Sequence, residues 1–192
     1  MAPPGIYTLQ LKVNNEPPQK QPLTLLMDPA SMGSETEINE QLQMMLELRD
    51  NQNDIAGMLN EAEIVRSQLY ELRTLLRNHD DFSEINNQIT ALDEKIIGLE
   101  MNLTDLRLVG GQDTLRYPRQ LYAKIASLSG YISGHDFAPA EAHRTVHEMY
   151  KENIGTYMTQ MKGIREGDLA AFNRMLQEKG IGTVITGKEG GN

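Results

Sequence analysis

The sequence predicts a mainly α-helical protein: an elongated antiparallel helical bundle with a protruding two-helix coiled-coil arm, preceded by a short β-hairpin. Three observations lead to this prediction. Alternating apolar residues between positions 6 and 27 have the two-residue period of half-buried strands. From Ser34 onward, apolar residues recur at three- and four-residue steps, as on one face of a helix. Between Ile85 and Leu106 these steps are uninterrupted, which is typical of a coiled-coil seam.

The predicted hairpin forms a first unit, residues 1–30. The apolar residues of its strands are Tyr7, Leu9, Leu11 and Val13, followed by Leu23, Leu25 and Met27. The segment Asn-Asn-Glu-Pro-Pro at 14–18 supplies the turn. An isolated hairpin is marginally stable at best in water. The strands therefore either pack on the helices that follow or once completed a β-sandwich. We favour the sandwich, because the order Gly5-x-Tyr7-Thr8, strand, turn, strand, Asp28-Pro29 is common for the last two strands of an immunoglobulin-like or fibronectin-like domain.

The helical bundle is predicted over residues 34–182. Ser34 and Glu37 form a Ser-x-x-Glu capping box, which opens a run without proline to about residue 78. The turn at 79–81 ends this first helix, and the glycine pair at 110–111 ends the second.

The later helices have their own boundary residues. Pro118 lies in the first turn of the third helix and Pro139 opens the fourth, while Asp168 caps a fifth that Gly180 closes. The predicted helices therefore span about residues 35–78, 83–107, 118–133, 139–165 and 168–179. A flexible tail is predicted at 183–192.

The helix lengths predict how the bundle is arranged. The second and third helices together nearly equal the first, which at 1.5 Å per residue is roughly 65 Å long. They should therefore lie end to end along it, with the third helix on the part before Gln52 and the second beside the rest as a two-helix arm. The seam of the second helix comprises Ile85, Ile89, Leu92, Ile96, Leu99, Leu103 and Leu106. Its expected partners on the first helix are Ile55, Leu59, Ala62, Val65, Leu69, Leu72 and Leu76.

Composition excludes several function classes. The chain has 18 Lys plus Arg against 27 Asp plus Glu, a net charge of -9, and its only loose basic set is Arg116, Arg119 and Lys124. This balance disfavours nucleic-acid partners and anionic membranes. The absence of cysteine excludes thiol catalysis, disulfides and thiolate metal sites. The sequence also has no signal peptide and no stretch that approaches a membrane span.

No residue pattern predicts a catalytic or cofactor site. The metal-binding candidates are His143 and His147, four residues apart on a predicted helix. A zinc-protease motif needs glutamate after the first histidine, where this chain has Arg144, and the alternative is a pair of solvent-facing histidines. The carboxylates at 80–84 are accounted for by the helix dipole. The sequence therefore predicts a chain that is not itself an enzyme and that has no cofactor.

The tyrosines offer a candidate binding surface. Five of the seven lie in the predicted third and fourth helices, namely Tyr117, Tyr122, Tyr131, Tyr150 and Tyr157. An aromatic patch there would stack on a sugar or a peptide, but half-buried packing of tyrosine gives the same spacing. Both interpretations stay open.

The order of short motifs resembles the C-terminal region of bacterial sortilin-like β-propeller proteins. These proteins are also described as BNR-repeat or photosystem-II-assembly-factor-like, and sometimes as glycosyl hydrolases. The motifs are Pro4-Gly5-x-Tyr7-Thr8, Pro22-Leu23-Thr24, Met27-Asp28-Pro29, Leu115-x-Tyr117-Pro118, Ala138-Pro139, Asp168-Leu169-x-Ala171-Phe172-Asn173-x-x-Leu176 and Gly180-Ile181. No catalytic residue of the family falls on a position of this chain.

The resemblance implies an exported polypeptide in which a propeller and a β-sandwich precede this helical region. The chain would then lie outside the cytoplasm, in the periplasm or at the cell surface, as a non-catalytic accessory module that spaces domains or docks a partner protein. That partner would be the upstream propeller and sandwich or another surface protein. The alternative is a part of a carbohydrate-active hydrolase whose catalytic propeller lies upstream.

Overall fold

The computed structural model describes residues 2–187. The antiparallel strands β1 (Gly5–Leu11) and β2 (Gln19–Leu25) come first. The α-helices are α1 (Glu35–Leu75), α2 (Phe82–Leu103), α3 (Leu121–Ile132), α4 (Glu141–Gly163) and α5 (Ala170–Glu178). A 3-10 turn, Asp113–Leu115, precedes α3, and a π-helical segment, Ile164–Leu169, joins α4 to α5. The predicted mainly α-helical fold with an N-terminal β-hairpin is confirmed.

α1 begins at the residue that the sequence predicts. The Glu37 backbone N–H donates to Ser34 Oγ at 3.2 Å, and the Ser34 N–H donates to Glu37 Oε2 at 2.8 Å. These reciprocal bonds satisfy two N–H groups that a helix start otherwise leaves unpaired, so the predicted capping box is present. α1 continues for 41 residues and forms one side of the whole bundle.

α2 and α3 lie end to end along α1, as the helix lengths predict. At one end, Gln41 Nε2 on α1 donates to the Ile132 carbonyl on α3 at 2.8 Å. Farther along, Arg66 Nε donates to Asp93 Oδ1 on α2 at 2.8 Å, and Arg73 Nη2 donates to Thr90 Oγ1 at 3.1 Å. These contacts fix the antiparallel register that the seam predicts.

α4, the π-helical segment and α5 form the third layer of the bundle, which is longer than the sequence predicts. The path through α4, the π-helical segment and α5 is continuous, and Phe172 and Leu176 are buried in the core. Lys179, just after α5, pairs with Glu84 at 2.8 Å and with Asp81 at 3.3 Å, near the turn between α1 and α2. The predicted two-helix arm is therefore covered by the π-helical segment and α5.

A five-residue spacing between two buried positions explains why α4 and α5 form one continuous path. The buried positions of the third layer run from Met161 to Ile164 in a step of three, but the next is Leu169, five residues on. In an α-helix that step would rotate the apolar face away from the core. The π-helical segment absorbs the extra residue and keeps the face inward. Asp168, predicted as a helix cap, lies within this segment without a capping hydrogen bond and pairs instead with Lys95 of α2.

Other helix ends also differ from the prediction. α1 ends at Leu75 rather than 78, and α3 begins at Leu121 rather than at Pro118. α2 ends at Leu103, so that Leu106, predicted in the seam, is partly exposed in the loop between α2 and α3. The predicted closure by Gly180 is observed, with φ of +70° and the Ile181 N–H donating to the Leu176 carbonyl at 2.9 Å.

Part of the predicted flexible tail is docked. Val184 is buried, and its N–H and carbonyl both bond the Asn173 side chain at 2.8 Å. Ile185 makes a matching pair of bonds with Gln68 on α1. These contacts hold the chain against the bundle after Gly180, and residues 188–192 of the predicted tail lie outside the described residues.

A buried charged layer crosses the middle of the bundle. Glu61 on α1 accepts from Arg165 Nη1 at 3.1 Å, and Glu100 on α2 accepts from Arg66 Nη1 at 2.7 Å. Burial raises the pKa of Glu100, and the attraction of Arg66 opposes this rise. Because buried charges must meet their partners, these pairs favour one register of the three layers.

Candidate functional site

The β-hairpin presents apolar side chains to solvent. Tyr7 lies opposite Leu23, while Leu9 and Leu11 on the same face of β1 lie opposite Gln21 and Gln19. Toward the turn this face is open, with Leu9 55% and Leu11 60% exposed. Ile6, on the other face, is 82% exposed. The half-buried strands that the sequence predicts are therefore largely uncovered beyond Tyr7.

The root of the hairpin is tied to the helical bundle. A cavity of about 360 Å³ lies there, bordered by the chain after β2 and by the start of α1. Gly33 approaches the turn between α3 and α4 so closely that a Cβ atom would lie 1.8 Å from the Asp136 carbonyl oxygen. Only glycine fits this approach, so the segment between β2 and α1 packs against the turn between α3 and α4.

A second candidate surface lies at the loop between α2 and α3. A groove of about 430 Å³ opens there, between that loop and the first half of α3. Its lining residues are Leu108, Thr114, Tyr117, Arg119, Tyr122, Ala123, Ala126 and Ser127. We call this surface the aromatic groove. The lining is mostly apolar and contains neither a carboxylate nor a side-chain amide.

Asp105 organises one wall of the aromatic groove. Its buried carboxylate accepts from Arg107 Nε at 2.8 Å and from Arg107 Nη2 at 2.6 Å, and it also accepts from the Arg107 backbone N–H. These hydrogen bonds hold the pKa of Asp105 at about 2, below its usual 3.8. The Arg107 guanidinium thereby lies 4.2 Å from the centroid of the Tyr117 ring, a cation–π geometry.

Of two further arginines, Arg119 lines the groove, and Arg116 lies next to Tyr117 outside the lining. Arg116 lies 5.7 Å from the Tyr117 centroid, and Arg119 Nη1 donates to Ser127 Oγ at 2.7 Å. Among residues 2–187, neither Arg116 nor Arg119 forms a salt bridge. Lys124, grouped with them on the sequence, does not line the groove.

The structure divides the five predicted tyrosines. Tyr117 and Tyr122 line the same groove, with Tyr122 40% exposed. Tyr131 is 72% exposed on α3 and lies outside the groove. Tyr150 and Tyr157 are partly buried against the core, where burial raises the pKa of Tyr150. The patch thus reduces to two tyrosines, and packing accounts for the two on α4.

The two histidine candidates face different surroundings. His147 is buried, with Nε2 3.2 Å from Asn51 Oδ1 and Nδ1 3.8 Å from Glu47 Oε2. Burial lowers the pKa of His147, which favours the neutral ring. His143 Nδ1 is buried without a hydrogen-bond partner. Within residues 2–187, no group of three His, Cys, Asp or Glu side chains is placed to hold a metal ion.

The sequence interpretation missed the Asp105–Arg107 pair. The detectable pattern is an aspartate and an arginine two residues apart, near the end of the predicted second helix. An aspartate at such a place bonds its own backbone two residues on and ends regular structure. This pair also accounts for the early end of α2, because Thr104 and Asp105 leave the helical path.

The chain matches no protein-family model, and no curated protein or solved structure is significantly similar to it. The sortilin-like resemblance stays a prediction. None of the helices in residues 2–187 combines the length and hydrophobicity needed to cross a lipid bilayer. The two surfaces described above are therefore the basis for a functional proposal.

Proposed function

We propose that the chain is a non-catalytic interaction module of a larger exported β-propeller protein, in which the hairpin completes a β-sandwich and the helical bundle acts as a spacer. The observation that carries the proposal is the exposed apolar face of β1, with Leu9 and Leu11 more than half exposed. Exposed apolar faces rimmed by polar residues are typical of interaction sites.

The hairpin is suited to joining a sheet. Two strands alone are marginal in water, and their outer edges present unpaired backbone groups that pair readily with another strand. The segment that joins β2 to α1 packs at Gly33 against the turn between α3 and α4, so the two strands lie at that end of the bundle. A sandwich that precedes them in the polypeptide would cover the apolar face and pair with an edge.

The first test is amide hydrogen exchange in the hairpin. The reading frame upstream of this chain should encode sandwich strands and propeller repeats. We expect residues 5–11 and 19–25 to exchange rapidly in the 192-residue chain and slowly when the upstream strands are present. Leu9→Glu should remove this protection because it places a charge in the covered face.

Gln10→Glu is the matched control, because Gln10 lies on the opposite face of the same strand. It should keep most of the protection. Equal exchange with and without the upstream strands, or an upstream frame without a sandwich, would contradict the proposal.

A further inference from the structure

The aromatic groove combines a large aromatic surface with uncompensated positive charge. Tyr117 and Tyr122 supply the rings, and Arg116 and Arg119 supply guanidinium groups that have no salt-bridge partner among residues 2–187. The chain as a whole has a net charge of -9, whereas these two arginines place positive charge at the groove. Tyrosine and arginine are also the side chains that most often dominate protein interfaces.

We propose that this groove binds an acidic peptide segment of a partner protein, with an apolar side chain of the peptide in the groove and its carboxylates on Arg116 and Arg119. The proposal concerns a different surface from the hairpin and does not depend on it. The first half of α3 lines the groove, while Ser133, just past the end of α3, borders the cavity at the hairpin root.

The positive charge of the two arginines favours carboxylates on the bound peptide. Arg119 donates one of its N–H groups to Ser127 on α3, and the residue is exposed, so donors remain for a ligand. Arg107 is already neutralised by Asp105, so its role is to hold the Tyr117 ring. A carboxylate that reaches the two unpaired arginines gains charge-assisted hydrogen bonds.

The lining favours a peptide over a neutral sugar. Sugar hydroxyls need several side-chain acceptors, and the groove lining has no carboxylate and no amide. Ser127 Oγ already donates to the Ala123 carbonyl at 2.8 Å. The remaining lining is Thr114, Leu108, Ala123, Ala126 and the two rings, which is mostly apolar and matches an apolar side chain.

The test is a titration of the full 192-residue chain with the blocked peptide acetyl-Asp-Glu-Leu-Phe-Asp-Glu-amide, followed by amide chemical shifts. We expect saturable shifts at residues 106–127 with a Kd below ~1 mM, and weaker binding as salt rises from ~50 to ~300 mM. The neutral peptide acetyl-Asn-Gln-Leu-Phe-Asn-Gln-amide should bind at least ~5-fold more weakly.

Two variants test the groove, and two matched controls lie on α3 outside the groove. Tyr122→Ala and Arg119→Gln should each raise Kd by ~5-fold or more, because they remove a ring or a charge that contacts the peptide. Tyr131→Ala and Lys124→Gln remove the same kinds of groups outside the groove and should change Kd by less than ~2-fold. All four positions are exposed, so the variants should fold.

Several results would overturn the proposal. These are no shifts at ~2 mM peptide, equal affinity for the neutral peptide, or equal losses in groove and control variants. Tighter binding of trigalacturonic acid than of the acidic peptide would also overturn it and assign the groove to an acidic sugar. None of these outcomes bears on the hairpin, because Leu9→Glu should leave peptide binding unchanged.

Discussion

Asp105 determines the shape of the aromatic groove at the scale of single residues. Its carboxylate makes three hydrogen bonds to Arg107, and the Arg107 guanidinium in turn lies on the Tyr117 ring. Asp105→Asn would remove the charge that orients Arg107 and keep the size of the side chain. We expect this variant to melt at a lower temperature than the natural protein at pH 7 and to bind the acidic peptide more weakly.

The effect of Asp105→Asn should depend on pH. The pKa of Asp105 is about 2 in the folded chain and 3.8 in the reference state, so its stabilisation is complete above pH 3.8 and is lost as pH falls toward 2. The difference in melting temperature should therefore be largest at pH 5–7 and smaller at pH 3. Asp50→Asn is the control, because the Arg49–Asp50 pair is exposed and should contribute little. A difference that is constant from pH 7 to pH 3 would argue against this role of the pair.

At the scale of elements, α1 and α2 pack together through the apolar seam of α2. Leu99 is buried against α1, and its truncation to Ala leaves a cavity in the core. We expect Leu99→Ala to lower the free energy of unfolding by about 2–5 kcal/mol, measured by urea denaturation. Gln88→Ala, at an exposed position of the same helix, should cost less than about 0.5 kcal/mol. Similar losses for the two variants would mean that α2 does not pack through this seam.

Elements defined by local patterns were predictable from the sequence. The capping box of Ser34 and Glu37 and the uninterrupted seam of α2 depend on residues a few positions apart, so they gave the start of α1 and the pairing of α2. The five-residue step before Leu169 had two solutions, a helix break or a π-helical segment. Contacts with α2, such as Lys95 with Asp168, favour the second, and no local pattern reports them.

The aromatic groove was less predictable than the helices. Tyr117 and Tyr122 were candidates by residue type, but Tyr131, Tyr150 and Tyr157 had equal standing on the sequence. What separates them is the path of the loop at 104–120, which brings Arg107 onto Tyr117 and leaves Tyr131 outside. That path depends on the buried Asp105 carboxylate, a tertiary feature that helical periodicity does not encode.

At the scale of the whole molecule, the three layers should unfold as one unit. α1 runs unbroken through both halves of the bundle, and the third layer is continuous from Arg144, paired with Glu40, to Lys179, paired with Glu84. A bare two-helix arm would instead open on its own, because few contacts would tie it to the base. Phe172, buried in α5, tests which description holds, since it lies far along the chain from the base.

We expect Phe172→Ala to lower the free energy of unfolding by about 3–5 kcal/mol and to speed amide exchange equally at residues 44–48 and 62–69 of α1. Both segments contain buried core residues, the first in the half of α1 beside α3 and the second in the half beside α2. Met158→Ala, at an exposed position on α4, should leave both rates nearly unchanged. One cooperative unit must lose protection throughout when any part of its core is weakened. Faster exchange at 62–69 alone would therefore show that the half of α1 beside α2 opens independently, as expected of a two-helix arm.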